Sequence, residues 1–117
     1  MCIRDRSKAV DLSIQANVEC TLINCSHADI ASNSIRELAR TPKFGIFANS
    51  STFKEIDLSI STKDIDAIHH LNSEIISAKE YAKIALNWAK EGAYVVGGCC
   101  GTTVEHTKQI KLLLETL

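Results

Sequence analysis

Brief apolar runs alternating with longer segments of helical spacing organise this chain. Residues 18–23, 43–48 and 94–96 are short and nearly all apolar, with Glu19 and Lys43 the charged exceptions. Runs of that length and character read as strands covered on both faces. Helical spacing fills the intervals. Residues 7–17 carry Ala9, Val10, Leu12, Ile14 and Ala16. A second helix is expected from Ser26 to about residue 40, with Ala31, Ile35 and Leu38 on one side and a stop at Thr41-Pro42. Ser77-Ala78-Lys79-Glu80 has the form of a capping box. The helix it opens carries Tyr81, Ala85 and Trp88 on one face, with Trp88 as an anchor to the sheet, and ends at Gly92. Thr102-Thr103-Val104-Glu105 has the same form, with Thr102 the expected N-cap of a last helix bearing Ile110, Leu113, Leu114 and Leu117.

The order is a helix followed by three strand-helix units, which argues for an α/β fold with parallel strands joined by helical crossovers. Residues 50–76 interrupt the pattern as a long polar connection, beyond the ~12–15 residues of an ordinary loop. Its charges between Lys54 and Asp66 read as a solvated face. In parallel sheets functional residues collect at the C-terminal strand ends. Cys25, Asn49 and the pair Cys99-Cys100 stand at three successive such ends.

Composition narrows the function classes. A chain of 117 residues, 45% hydrophobic and 23% charged, suits one small globular domain. A net charge of −1 without a basic cluster argues against nucleic acid or an anionic membrane surface as partner. Neither a membrane-length apolar run nor a signal peptide is visible. Five cysteines, two of them adjacent, read as reduced thiols of a cytoplasmic protein rather than a disulfide framework.

The adjacent pair lies in Gly97-Gly98-Cys99-Cys100-Gly101-Thr102-Thr103. Neighbouring side chains of a strand point to opposite faces, so both thiols serve one centre only where the backbone bends, and flanking glycines permit the bend. Cys25, in Asn24-Cys25-Ser26, offers a third thiol. Three cysteinates with an open fourth position make a catalytic type of zinc site. Taken alone, Cys25 would more often be a buried structural thiol.

The glycine-cysteine run, followed by Glu105-His106 and preceded far upstream by Asn24-Cys25-Ser26, resembles the signature of the zinc-dependent homocysteine S-methyltransferase family. The resemblance runs from about Cys20 to the C-terminus. It implies the C-terminal part, about three strand-helix units, of a (β/α)8 TIM barrel. It further implies Cys25, Cys99 and Cys100 as Zn2+ ligands, and methyl transfer from a small-molecule donor to the thiol of homocysteine, forming methionine. Asn49 matches the asparagine of another strand-end motif. Together with Gly98, Gly101 and Thr102 it is a candidate for substrate binding, against ordinary turn-capping roles. Proline, usual in relatives at the first helical position, is replaced by Ala28, Ala78 and Val104.

Residues 1–6 do not resemble the family and read as a non-native lead, leaving 7–117 as the barrel piece and Cys2 outside the site. A piece of this size is expected to come from a longer enzyme and to lack independent activity. His27, His69, His70 and His106 are expected in surface or capping roles. A non-enzymatic zinc-binding module using the same cysteines is the alternative. A thiol-redox domain is disfavoured because Cys-x-x-Cys is absent.

Overall fold

The structure, a computed structural model, describes residues 3–53 and 73–117. Helix α1 (Ile3–Gln15) leads into strand β1 (Thr21–His27), followed by two short helices, α2 (Ala28–Ser32) and α3 (Ile35–Leu38). Strand β2 (Phe44–Asn49) comes next, then the short strands β3 (Ser51–Phe53) and β4 (Ser73–Ile75). Helix α4 (Ala78–Lys90), strand β5 (Val95–Gly98) and helix α5 (Val104–Leu114) complete the described chain.

β1, β2 and β5 form a parallel three-stranded sheet in that order. The register aligns Ile23 with Ile46 and Ile46 with Val96, so these apolar side chains share a face. The helices cover that face. Ile46, Ala48, Ala28, Ala31, Tyr81, Ala82, Ala85, Trp88 and Ile110 all belong to one buried cluster. Trp88 is the anchor its position suggested: it is fully buried, meets the Tyr81 ring edge-on at 5.7 Å, and donates its indole N–H to Ser32 Oγ at 2.7 Å. The Ser77–Glu80 capping box forms as expected.

Several boundaries differ from the sequence pattern. α1 begins at Ile3 rather than residue 7, and Arg6 donates to Ile30 O and Ser34 Oγ. β1 starts later and continues past Cys25 to His27. The helix expected over 26–40 is two helices. Ser32 and Ser34 turn their hydroxyls back onto Ala28 O and Ile30 O, a competition with the backbone that weakens helix interiors. Tyr94 lies before β5, exposed, with the Lys43 ammonium 4.7 Å above its ring. The two ends of the long connection pair with each other as antiparallel β3 and β4. The charges from Lys54 to Asp66, Cys2, and His69 and His70 lie outside the described residues. Among the described residues, no helix is long and apolar enough to cross a membrane.

Candidate metal centre

Cys25 reaches the centre through an irregular backbone. The pairing of β1 with β2 shifts register between Asn24 and His27, and Cys25 within that bulge has φ 55. A residue with a Cβ resists this left-handed conformation, so the packing around it must hold it there. The Cys25 and Cys100 sulfurs lie 3.4 Å apart, the Cys99 and Cys100 sulfurs 4.0 Å apart, and all three within 4.8 Å of one another. Four sulfurs at ~2.3 Å from a tetrahedral zinc would lie about 3.8 Å apart, so the three thiols fit one ion with small adjustments.

Hydrogen bonding also shifts Cys25 and Cys99 in opposite directions. Hydrogen bonding to Cys99 and then Cys100, together with their charge, pushes the Cys25 thiol up to about 11. The hydrogen bond from Cys25 holds Cys99 below the usual thiol range. A cation beside Cys25 would offset the upward shift of its thiol and favour the thiolate.

The Cys99-Cys100 turn is tied to the end of β2 residue by residue. Cys99 N–H donates to Ala48 O at 2.8 Å, Cys100 N–H donates to Asn49 Oδ1 at 3.1 Å, and Cys100 O accepts from Ser50 N–H at 3.0 Å. Thr102 closes the turn from its far side, its hydroxyl donating to Cys99 O at 2.7 Å. A Cβ on Gly98 would stand 2.5 Å from Thr102 Oγ1, and that hydroxyl is already committed. Gly101 has φ 74, and a Cβ there would stand 2.6 Å from Ser50 Oγ.

The site residues named from sequence therefore all gather here. Cys25, Cys99 and Cys100 form the donor cluster, while Asn49, Gly98, Gly101 and Thr102 make up the frame of the cysteine turn. Ser50, buried and also part of that frame, escaped the sequence reading; its place directly after the strand-end Asn49 was the available signal. Thr102 is not the N-cap of α5. Thr103 is, and His106 rather than Glu105 completes the box, its Nδ1 accepting Thr103 N–H at 3.1 Å. His27 Nδ1 lies 2.8 Å from Ser51 Oγ. Among the described residues neither histidine joins the thiol cluster.

A family model described as homocysteine S-methyltransferase matches residues 5–114. The chain belongs to the homocysteine S-methyltransferase family. The three thiols at the ends of its parallel strands are a donor set that could hold a soft metal ion.

Proposed function

We propose that this chain supplies the zinc site of a cytoplasmic homocysteine S-methyltransferase, in which the homocysteine sulfur takes a methyl group from a small-molecule donor and methionine results. The observation that carries the reading is the convergence of three thiols from two strand ends within 4.8 Å of one another. When bound there, zinc would keep the homocysteine thiol ionised at neutral pH. Cys25, Cys99 and Cys100 would hold the metal. Cys25 and Cys100 are exposed, which leaves the cluster approachable by a substrate sulfur. Asn49, Gly98, Gly101 and Thr102 would shape the seat beside the metal and fix the direction of approach, which methyl displacement needs. The parallel sheet and its helices are then the last three strand-helix units of a (β/α)8 barrel, whose strand ends face one centre.

Elemental analysis of the reduced protein tests the reading. The expected result is stoichiometric zinc in wild type, lost in Cys25→Ser and in Cys99→Ser, and an added sulfur ligand by X-ray absorption when homocysteine is present. Folded, reduced wild type that takes up no zinc would remove the metal assignment from this chain. Bound zinc whose absorption spectrum ignores homocysteine would turn the reading into a structural zinc module.

A further inference from the structure

The ring of Tyr81 explains its place in the core, but the hydroxyl does not belong to that explanation. Tyr81 is 0% exposed, with its ring edge-on to Trp88 at 5.7 Å and to His106 at 5.6 Å. A phenylalanine would fill the same space without the desolvation cost of a buried hydroxyl. That hydroxyl lies 2.7 Å from Ala48 O and 2.9 Å from Gly97 O, carbonyls of the two neighbouring strands β2 and β5. It has one proton for two acceptors and so must share it. Burial pushes the phenol well above its ordinary range, and the group stays a donor.

Ala48 O is the informative partner. The same oxygen accepts the Cys99 N–H at 2.8 Å. The Tyr81 hydroxyl and the backbone of a metal-binding cysteine therefore meet on one carbonyl. Gly97 O, the second acceptor, sits two residues before Cys99 on the strand that carries the cysteine turn. Tyr81 thus grips both strands, from within the core, next to the point where Cys99 and Cys100 leave them.

We propose that Tyr81 is a positioning residue of the metal centre, its hydroxyl fixing the ends of β2 and β5 so that Cys99 and Cys100 present their sulfurs in register with Cys25. This rests on the zinc reading given above. Groups that orient metal ligands from behind typically change metal affinity about 10- to 100-fold when removed. A hydroxyl that served packing alone would change stability and leave the affinity of the folded protein as it was.

The test is Tyr81→Phe, with zinc affinity measured by competition against a chromophoric chelator and site geometry read from the thiolate-to-metal bands of the cobalt-substituted protein. Circular dichroism and thermal melting of the metal-free protein accompany both. Trp88→Phe, altered in the same core but bonded to Ser32 instead of the strand ends, is the control. The expected result is a fall in zinc affinity of about 10- to 100-fold and shifted cobalt bands in Tyr81→Phe, with wild-type zinc affinity in Trp88→Phe. Wild-type zinc affinity and cobalt bands in folded Tyr81→Phe would overturn the proposal while leaving the zinc reading intact. A wild-type protein that binds no zinc would overturn both. If Tyr81→Phe does not fold, 4-fluorophenylalanine introduced at the site fills the hydroxyl's place without a proton to donate. Reduced zinc affinity at an unchanged melting temperature then supports the proposal, and wild-type affinity overturns it.

Discussion

The two sides of the thiol cluster are built on opposite plans. Cys99 and Cys100 sit on a turn whose backbone groups are individually bonded to Ala48, Asn49 and Ser50, with Thr102 closing it and Tyr81 beneath. Cys25 sits on β1, at the edge of the described sheet, exposed and in a left-handed conformation inside a bulge. One side is prepared before any metal arrives, and the other is held in a conformation its residue type resists. Hydrogen bonds fix the turn, whereas packing holds Cys25 against its own backbone preference.

Asn49 offers the sharpest way to break the prepared side. Its Oδ1 is the acceptor for Cys100 N–H, so Asn49→Ala leaves that donor without its partner and frees the turn. Zinc affinity is expected to fall about 10- to 100-fold, measured by chelator competition. Asn49→Asp, which keeps the acceptor oxygen, should recover part of the loss. Unchanged affinity in Asn49→Ala would mean that the turn is rigid without it, and would return Asn49 to a direct role with substrate.

The assignment of Asn49 shows where sequence reading stops. Its place at a strand end was legible because Phe44 to Ala48 is a continuous apolar run. Its partner was not, because Cys100 lies 51 positions away and only the β2–β5 register brings them together. The Ser77 cap and the Trp88 anchor were legible for the opposite reason: each depends on local spacing. Cys25 was found through its motif, yet its backbone was not foreseen, since no glycine marks the left-handed position. The break between α2 and α3 did carry a signal, the run Ser32-Asn33-Ser34, whose side chains compete for backbone partners. At the last helix two adjacent threonines competed for the cap. The capping-box pattern favoured Thr102 with Glu105, whereas the structure spends Thr102 on Cys99 O and caps with Thr103 and His106.

The left-handed conformation occurs on both sides of the cluster, at Gly101 and at Cys25, and this permits a paired test. Gly101→Ala adds a Cβ where φ is 74 and Ser50 Oγ is close, and should destabilise the metal-free protein by about 1–2 kcal/mol. Cys25→Gly relieves the same conformation and should raise the urea midpoint of the metal-free protein while abolishing zinc binding. Denaturant melts read both. A lower midpoint for Cys25→Gly would mean that its thiol contacts outweigh the backbone strain, and the contrast between the two sides would shrink to one of hydrogen bonding.

The smallest effect is expected away from the centre, at the start of α4. Ser77 Oγ accepts Glu80 N–H, and Glu80 accepts Ser77 N–H in return. Ser77→Ala should cost about 1 kcal/mol of stability and leave the zinc affinity of the folded protein unchanged. The hydrogen bonds from Ser77 hold the Glu80 carboxyl below the usual carboxylate range. A carboxyl whose folded pKa is depressed adds stability above its unfolded pKa, and that stability is lost as pH falls through the folded value. The gap between Ser77→Ala and wild type should therefore be full at neutral pH and narrow on acidification, in melts of the metal-free protein. A gap that persists to low pH would assign the cap to the Ser77 hydroxyl alone. A zinc affinity that moved with Ser77→Ala would show that strain at the helix start reaches the cysteine turn, through the Ile76 N–H bond to Ser50 O at 2.9 Å, and that the prepared side extends further from the metal than its direct bonds indicate.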